Sequence, residues 1–318
     1  MRFVGIDISK AALDWAMVET ADGDVVAEGS ITNTAPGIAA LVTTLAASAP
    51  ALVVLEATGA YHRPLLAAVL AAELPATLVN PTQIVGFRQV RLGRAKTDRQ
   101  DARLLARFGA TYATELRRST LPSTTQAQLR DWTRYRATLI RRQTQLAGQQ
   151  EANRWQGDAQ VRQWLTDDTQ SIAAKIAEVE AAIADLLAQL PEAAVVLAIK
   201  GVGPIVTATV LGTLPVALWG DAKKASAYLG LVPRVAQSGK RSRSSMSKAG
   251  PGEVRRVLWL AARAAIDHDP AMHAWYAGMV ARGKREQQAQ CAVMNKLVRH
   301  MMGRLKAWQT TQLEAAMA

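Results

Sequence analysis

The chain has 318 residues, of which 49% are hydrophobic and 20% charged, a balance that excludes a disordered chain and is typical of a globular protein with more than one domain. Its net charge of +12 and its pI of about 10.2 favour nucleic acid, or an anionic membrane, as partner. The single cysteine, Cys291, excludes an intramolecular disulfide, which fits a reducing cytoplasm, and cannot complete a zinc site with four scattered histidines.

The first third of the chain alternates short apolar runs with helical segments. The first run carries Asp7, which a signal peptide would not, and the turn at 21–24 is typical of a hairpin between two strands. The predicted strands are 2–8, 13–20, 25–32, 51–57 and 76–80, and the predicted helices are 37–47, 62–73 and 98–110. We therefore expect an α/β domain over residues 1–115, with a mixed sheet covered by helices.

The middle of the chain has the pattern of long helices. Residues 123–190 contain no proline, and apolar residues recur in steps of four and three from Ile172 to Leu190, which is a heptad seam. Two long helices are expected to pair around a turn at Gly157 and Asp158, either within this chain or with a second copy. We interpret residues 116–192 as a helical coiled-coil segment that drives self-association.

The last part, residues 193–318, is expected to be mostly α-helical. Residues 201–220 lack charge, but glycines and prolines interrupt them, so a buried helical turn is favoured over a membrane span. The sequence GVG at 201–203 lets backbone N–H groups approach a phosphate, or is a plain tight turn. A basic, serine-rich insert at 238–252 is too polar and too rich in glycine for a helix.

Four acidic residues stand at the ends of predicted core elements. Asp7 and Glu56 each end a strand, and Asp98 and Asp101 share one face of a helix because they are three residues apart. Such carboxylates repel one another unless a cation neutralises them, and Mg²⁺ binds through a few carboxylates together with phosphate oxygens. The alternative is that the first two acids cap loops and the other two face solvent.

Two groups of basic residues fit phosphate binding. The first precedes Asp98 and consists of Arg88, Arg91, Arg94 and Lys96. The second lies in and around the insert and consists of Arg234, Lys240, Arg241, Arg243, Lys248, Arg255 and Arg256. Arginine suits paired phosphate contacts better than lysine does. Glu253 is the only acid between 234 and 256, so a surface that serves only solubility is less favoured there.

Longer motifs carry a resemblance to one family. The N-terminal region contains FVGIDISKAALDWAMVE, VVLEATGAYHRPL, LVNPTQIVGFRQV and KTDRQDARLLA, and the C-terminal region contains IKGVGPIVTATVLG, AYLGLVPRVAQSGKR and MSKAGPGEVRRVLWLAA. In these motifs the chain resembles an insertion-sequence transposase family. That family joins a Holliday-junction-resolvase-like (RuvC-like, RNase H fold) domain with a DEDD tetrad to a C-terminal serine transposase domain. Its members are DNA recombinases guided by a structured bridge RNA.

The resemblance implies site residues and partners. Asp7, Glu56, Asp98 and Asp101 would form the catalytic tetrad that holds Mg²⁺. Ser238, which follows a Gly-Leu-x-Pro turn, would attack a DNA phosphate and form a covalent link. A serine hydroxyl is a weak nucleophile until it loses its proton, and our hypothesis is that coordination to the metal or an aspartate of the tetrad achieves this. The implied partners are donor and target DNA, the bridge RNA and further copies of the chain in a dimer or tetramer, acting on the nucleoid in a bacterial cytoplasm.

Two other functions stay open on the sequence. One is a junction-resolving nuclease of the same fold, which hydrolyses phosphate with water and uses no serine. The other is a non-catalytic nucleic-acid-binding protein whose acids are structural. Independence of Mg²⁺ would favour the binding protein, and full cleavage by a Ser238→Ala variant would favour the nuclease.

Overall fold

The computed structural model describes residues 1–57, 59–90, 97–155, 157–238, 241–246 and 250–317. Inside the two strands of the last third, the side chains of residues 234–236, 238 and 241–245 lie outside this description, as do those of 316 and 317 at the end of the last helix. The chain folds as two compact units, Met1–Leu121 and Pro122–Ala318. The long helices of the middle segment and the C-terminal region therefore both belong to the second unit.

The first unit is built on a five-stranded mixed sheet with the strand order β3-β2-β1-β4-β5. Its strands are β1 (Phe3–Ile8), β2 (Ala12–Val18), β3 (Val25–Thr32), β4 (Leu52–Glu56) and β5 (Ala76–Val79). The pairs β1–β2 and β2–β3 are antiparallel, and the pairs β1–β4 and β4–β5 are parallel. The five predicted strands are confirmed, and the parallel pair β1–β4 lies in the middle of the sheet.

Helices cover both faces of this sheet. They are α1 (Ala35–Ser48), α2 (His62–Ala71), α3 (Pro81–Val90) and α4 (Asp98–Tyr112). Even-numbered residues of β1, such as Val4 and Ile6, pack with α1 and α2, whereas odd-numbered residues, such as Phe3 and Gly5, face α3 and α4. Because side chains alternate along a strand, Asp7 lies on the face that α4 covers.

Helix α3 is absent from the elements predicted above, because Pro81 reads as the end of a strand. In the structure Pro81 is the first residue of the helix, where a proline fits because its missing N–H would have no helical partner. The side chain of Asn80 accepts a hydrogen bond from the backbone N–H of Thr82 at 2.9 Å, which supports the start of the helix. The helix carries Arg88 in its last turn.

The second unit is mostly helical in the ranges that the structure describes. Its helices are α5 (Thr124–Ala152), α6 (Ala159–Ala188), α7 (Pro191–Leu197), α8 (Pro204–Thr213), α9 (Ala222–Tyr228), α10 (Gly252–His268), α11 (Pro270–Ala281) and α12 (Glu286–Met317), with a short 3-10 turn at Val216–Leu218. The two long helices predicted for the middle segment are confirmed as α5 and α6, which pack against each other and bury Leu139, Ile176 and Ile183. Asp158 caps α6 by accepting a hydrogen bond from Gln160 N at 2.8 Å. A coiled coil that joins two copies stays a prediction.

A two-stranded antiparallel sheet interrupts the helices of the second unit. It consists of β6 (Pro233–Ser238) and β7 (Arg241–Met246), and its register pairs Ser238 with Arg241. The insert predicted to be non-helical thus contributes a strand before α10 begins at Gly252. Across the described ranges, no helix combines the length and the apolar character needed to cross a bilayer.

Candidate active site

Two of the predicted acids stand side by side at the carboxyl ends of parallel strands. Ile6 of β1 pairs with Leu55 of β4, and the next residues along the two strands are Asp7 and Glu56. Val54 packs on the side of the sheet that α4 covers. Side chains two residues apart in a strand point to the same face, so Glu56 points to that side as well. Ligands of open α/β sheets bind outside the carboxyl ends of the strands, so the position suits a functional site.

Helix α4 brings the other two acids to this place. The side chain of Thr97 caps the helix by accepting a hydrogen bond from Gln100 N at 3.3 Å, so Asp98 and Asp101 both lie in the first turn. The helix backbone approaches β1 so closely that a Cβ on Gly5 would lie 2.2 Å from the carbonyl oxygen of Ala102. Only glycine permits this approach, which sets the start of α4 beside Asp7.

The four carboxylates form one electrostatic cluster centred on Asp7. The pKa of Asp7 is raised from its ordinary value of 3.8 to about 6, first by burial and then by the charges of Asp101, Asp98 and Glu56, in that order of effect. A hydrogen bond from the backbone of Ile8 acts in the opposite direction. The structure thus brings together the four acids that the sequence singles out.

The donor set of this cluster fits a divalent cation in its chemistry. Several carboxylates with mutually unfavourable charge are what a hard cation such as Mg²⁺ relieves. In the described part of the chain, however, no three His, Cys, Asp or Glu side chains are arranged to hold a metal ion. One reason is visible at Asp101, whose Oδ1 accepts a hydrogen bond from Arg88 Nη2 at 2.5 Å.

The arginines around the cluster have different surroundings. Arg88 pairs with Asp101, and only 22% of its side chain is exposed. Arg103 of α4 donates two hydrogen bonds of 2.7 Å to the carboxylate of Glu28 on β3, which lowers the pKa of that carboxyl. Arg107 donates to the carbonyl oxygen of Gly23 at 3.3 Å. Arg91, Arg94 and Lys96, which the sequence assigns to nucleic acid, lie outside the described residues.

The predicted nucleophile belongs to the second unit. Ser238 is the last residue of β6, and its side chain lies outside the description, as do those of Arg234, Arg241 and Arg243. Lys240 and Lys248 also lie outside the described residues. Arg255 donates a hydrogen bond to the carbonyl oxygen of Gly250, whereas Arg256 is exposed on α10.

The glycine turn at 201–203 packs closely within the second unit. Gly201 has a φ of 83°, and a Cβ there would lie 2.7 Å from the Cβ of Ala265 on α10. Gly203 precedes α8, and no side chain caps the start of that helix. The turn therefore has a packing role, and phosphate binding by its N–H groups stays a prediction.

One acid of this region is missing from the sequence prediction. Asp14 on β2 pairs directly with Asp7 on β1 and is only 8% exposed. Spacing along the chain contains no signal for it, because the pairing depends on the register of the β1–β2 hairpin. The only available clue is a charged residue inside an otherwise apolar strand, LDWAMV.

Comparisons with known proteins find matches in both parts of the chain. A family model of the IS110 DEDD domain, described as "Transposase", matches residues 4–152, and a second, described as "Transposase IS116/IS110/IS902 family", matches residues 193–277. The pilin gene-inverting protein of Moraxella lacunata is 28% identical over 317 residues, with 93% of each chain covered. The protein of the same name from Moraxella bovis is 28% identical over 315 residues, again with 93% of each chain covered.

Solved structures of RuvC from Thermus thermophilus are also similar to part of the chain. One is a complex with a Holliday junction substrate, matched at 16% identity and a TM-score of 0.31 over 37% of this chain and 99% of RuvC. Another RuvC structure matches at 17% identity and a TM-score of 0.31, over 37% of this chain and 100% of RuvC. Two models of IS110-family transposase domains thus match stretches of the chain that include all four acids and the β6–β7 sheet.

Proposed function

We propose that the protein is a transposase or recombinase that cuts and rejoins DNA strands. The observation that carries the proposal is the cluster of Asp7, Glu56, Asp98 and Asp101, which lies wholly within the stretch matched by the DEDD family model. The relatives support it as well, because inverting a gene, as their name says they do, requires DNA to be cut and rejoined. The net charge of +12 suits a polyanionic substrate.

The four carboxylates would hold Mg²⁺ next to the scissile phosphate. The cation would supply positive charge that stabilises the phosphoryl oxygens during displacement. Asp7 would sit at the centre, because its carboxyl already has three acidic neighbours. Arg88 would exchange its bond with Asp101 for one with a DNA phosphate, since a guanidinium binds carboxylate and phosphate with the same geometry.

Ser238 would be the nucleophile. Its Oγ would form a bond to phosphorus while the bond from phosphorus to the DNA sugar oxygen breaks. The serine proton would pass to an aspartate of the cluster and from there to the leaving sugar oxygen, which would end as a hydroxyl. The basic residues before Asp98 and around the insert would bind phosphates of the DNA and of a guiding bridge RNA.

Assembly of two or four copies would follow from the reaction, because two duplexes have to be cut and exchanged. The hairpin of α5 and α6 supports this, since Trp155 is 79% exposed and Trp164 is 59% exposed near the turn that joins the helices. Large exposed aromatic side chains are typical of surfaces that another molecule covers. The protein would act on the nucleoid of a bacterial cell.

The experiment that tests the proposal traps the covalent intermediate. The protein is purified together with its nucleic acid, the RNA is sequenced, and DNA matching its loops is incubated with protein and Mg²⁺ before denaturing electrophoresis. We expect a protein–DNA adduct with the wild type and with the Ser244→Ala control, and none with Ser238→Ala or the double variant Asp98→Asn, Asp101→Asn. Cleavage without an adduct, at full rate in Ser238→Ala, would instead identify a hydrolytic nuclease. Binding without any cleavage would identify a nucleic-acid-binding protein.

A further inference from the structure

The second half of the last helix, α12, has one buried side and one exposed side. The buried side belongs to the core of the second unit and consists of Leu297, Val298, Met301, Met302 and Leu305. The opposite side is exposed and consists of Arg299, His300, Gly303, Arg304, Lys306 and Ala307. No acid occurs in the sequence between Glu286 and Glu314. We call this exposed side the basic face of α12.

The cations of the basic face have no acidic partner. Arg299, Arg304 and Lys306 form no ion pair in the part of the chain that the structure describes. An exposed cation of the same unit can be paired, as Arg263 is with Asp267 at 3.1 Å on α10. The basic face therefore presents uncompensated positive charge, which attracts a polyanion.

A neighbouring turn fixes the position of Lys306. A Cβ on Gly220 would lie 3.2 Å from Cγ of Lys306, so the apolar stem of the lysine packs against this turn. The next residue, Asp221, is bound twice by Lys224, through its Nζ at 3.0 Å and through its backbone N–H at 2.9 Å. The acid that follows Gly220 in the sequence is thus already compensated, and the ammonium group of Lys306 is left for another partner.

Small residues lie in the middle of the basic face. Nothing lies within 4 Å of the Cβ position of Gly303, and Ala307 follows it one helical turn later. At 3.6 residues per turn, Arg299 and Lys306 flank this strip on one side and Arg304 on the other. Arg299 and Lys306 are about 10 Å apart along the helix axis, which is about three times the axial spacing of phosphates in one DNA strand.

An anionic membrane is the other kind of surface that a basic helix binds. A helix of that kind inserts large apolar side chains into the headgroup region next to its charges. The large apolar side chains of α12 between Leu297 and Leu305 are instead buried in the protein core. Charge without an exposed apolar side complements a phosphate backbone better than a bilayer.

We propose that the basic face of α12 binds the phosphate backbone of a nucleic-acid duplex. The inference rests on the proposed function for the class of partner, and it adds a surface that is separate in sequence from the basic residues before Asp98 and around the insert. The strip at Gly303 lets the backbone approach the helix, and the cations bind its oxygens from both sides. Contacts of this kind position a duplex without reading its bases.

The test measures how the affinity for a duplex depends on salt. Full-length protein is titrated without Mg²⁺ with a labelled DNA duplex of arbitrary sequence, and separately with an RNA duplex of the same length, at several concentrations of KCl. We expect the triple variant Arg299→Ala, Arg304→Ala, Lys306→Ala to bind more weakly than the wild type. The slope of log K against log salt should become shallower by about 2–3, because each phosphate contact contributes about 0.9 to it.

A matched control removes the same residue types from paired positions. The variant Arg141→Ala, Lys175→Ala, Arg263→Ala loses two arginines and one lysine, each of which forms an ion pair with an acid. Its salt slope should stay close to that of the wild type. An equal loss of slope in both triple variants would show that total charge decides binding, and the inference would be wrong. Should the alanine variant of the basic face not fold, glutamine at the same three positions replaces it.

The two duplexes distinguish the sources of the phosphate. A shallower slope with DNA alone, with RNA alone or with both supports the inference and identifies the nucleic acid that the face binds. Unchanged slopes with both duplexes overturn it, and a simultaneous loss of binding to phosphatidylglycerol vesicles would assign the face to a membrane. The proposed function fails on a different result, the absence of a covalent adduct from the wild type, which leaves the salt slope unaffected.

Discussion

The pKa of Asp7 depends on residues from several elements of the first unit. Its backbone belongs to the sheet, whereas its carboxyl meets charges that arrive from β4 and α4. Burial alone raises its pKa, and three further acids leave it with a pKa of about 6. Binding of a cation or of a proton relieves the repulsion between these carboxylates.

The stability of the protein without divalent cation should therefore fall between pH 4 and pH 6. Because the folded-state pKa of Asp7 lies above its ordinary value of 3.8, the folded state binds more protons than the unfolded state in this window, and the free energy of unfolding decreases as the pH rises through it. The loss is half-way through its last step at the folded-state pKa of about 6 and levels off about one pH unit above it. Denaturant unfolding from pH 3.5 to 7.5 measures it, and Asp7→Asn should flatten the curve. An unchanged slope in the variant would show that other groups cause the dependence.

The guanidinium of Arg88 compensates the charge of Asp101, as a divalent metal ion would. The side chains of the pair are 22% and 12% exposed, so each depends on the other for compensation of its charge. We expect Arg88→Ala to lower the free energy of unfolding by about 1–3 kcal/mol in the absence of Mg²⁺, the usual cost of leaving a buried polar group unpaired. Mg²⁺ should restore more stability to the variant than it adds to the wild type, because it replaces the lost guanidinium.

The matched control for Arg88 is an exposed ion pair of the second unit. Lys175 and Glu178 of α6 interact on the surface, so Lys175→Ala should change stability little and should gain as much stability from Mg²⁺ as the wild type does. Equal Mg²⁺ responses of Arg88→Ala and the wild type, in denaturant titrations, would argue against a cation beside Asp101.

At the scale of elements, the site depends on how closely α4 lies on β1. Gly5 provides the space, since a Cβ would meet the backbone of α4 at Ala102 and Ala106, both at 2.2 Å. Gly109 provides space at the other end of the helix, where a Cβ would lie 2.6 Å from Cγ2 of Val54. The helix start that carries Asp98 and Asp101 is thus held against the sheet by two contacts that need glycine.

Gly5→Ala should weaken both the fold and the site. The added methyl group forces α4 away from β1, at a cost of at least about 1–3 kcal/mol for overpacking, and it separates Asp98 and Asp101 from Asp7. Gly86→Ala is the control, because nothing lies within 4 Å of its Cβ position in α3, and it should stabilise by about 0.5–1 kcal/mol. Thermal unfolding and Mg²⁺ titration check both variants. A Gly5→Ala protein with wild-type Mg²⁺ affinity would show that the spacing of α4 does not matter to the site.

The sequence predicts the elements of this fold better than their contacts. Apolar runs and heptad spacing are local signals, so the five strands and the helices α5 and α6 follow from them. Helix α3 is absent from the prediction because an Asn-Pro start resembles a strand end. Strands β6 and β7 are absent because their sequences, PRVAQS and RSRSSM, lack a regular alternation of apolar and polar residues. The pairs Asp7–Asp14 and Arg88–Asp101 could not be predicted, because they depend on strand register and on the packing of α3 near α4.

At the scale of the whole molecule, the proposed chemistry is divided between the two units. The acid cluster lies in Met1–Leu121, and Ser238 lies in Pro122–Ala318. A division of this kind allows the serine of one copy to form an active site with the acids of another copy. If sites are shared in this way, a single chain lacks a complete site, and self-association is required for the reaction.

Mixing two inactive variants tests this sharing of sites. In a Ser238→Ala protein the acids are intact, and in an Asp7→Asn protein the serine is intact, so a mixed dimer with shared sites contains one complete site. Random exchange makes half of the dimers mixed, and we expect up to about a quarter of the wild-type yield of covalent adduct from a symmetric dimer. The control mixture, Asp7→Asn with Asp98→Asn, has no intact set of acids and should yield none. If adducts fail to form at every ratio of Ser238→Ala to Asp7→Asn, although subunit exchange is verified, each chain builds its own site, and the two units of one copy would have to bring Ser238 to Asp7.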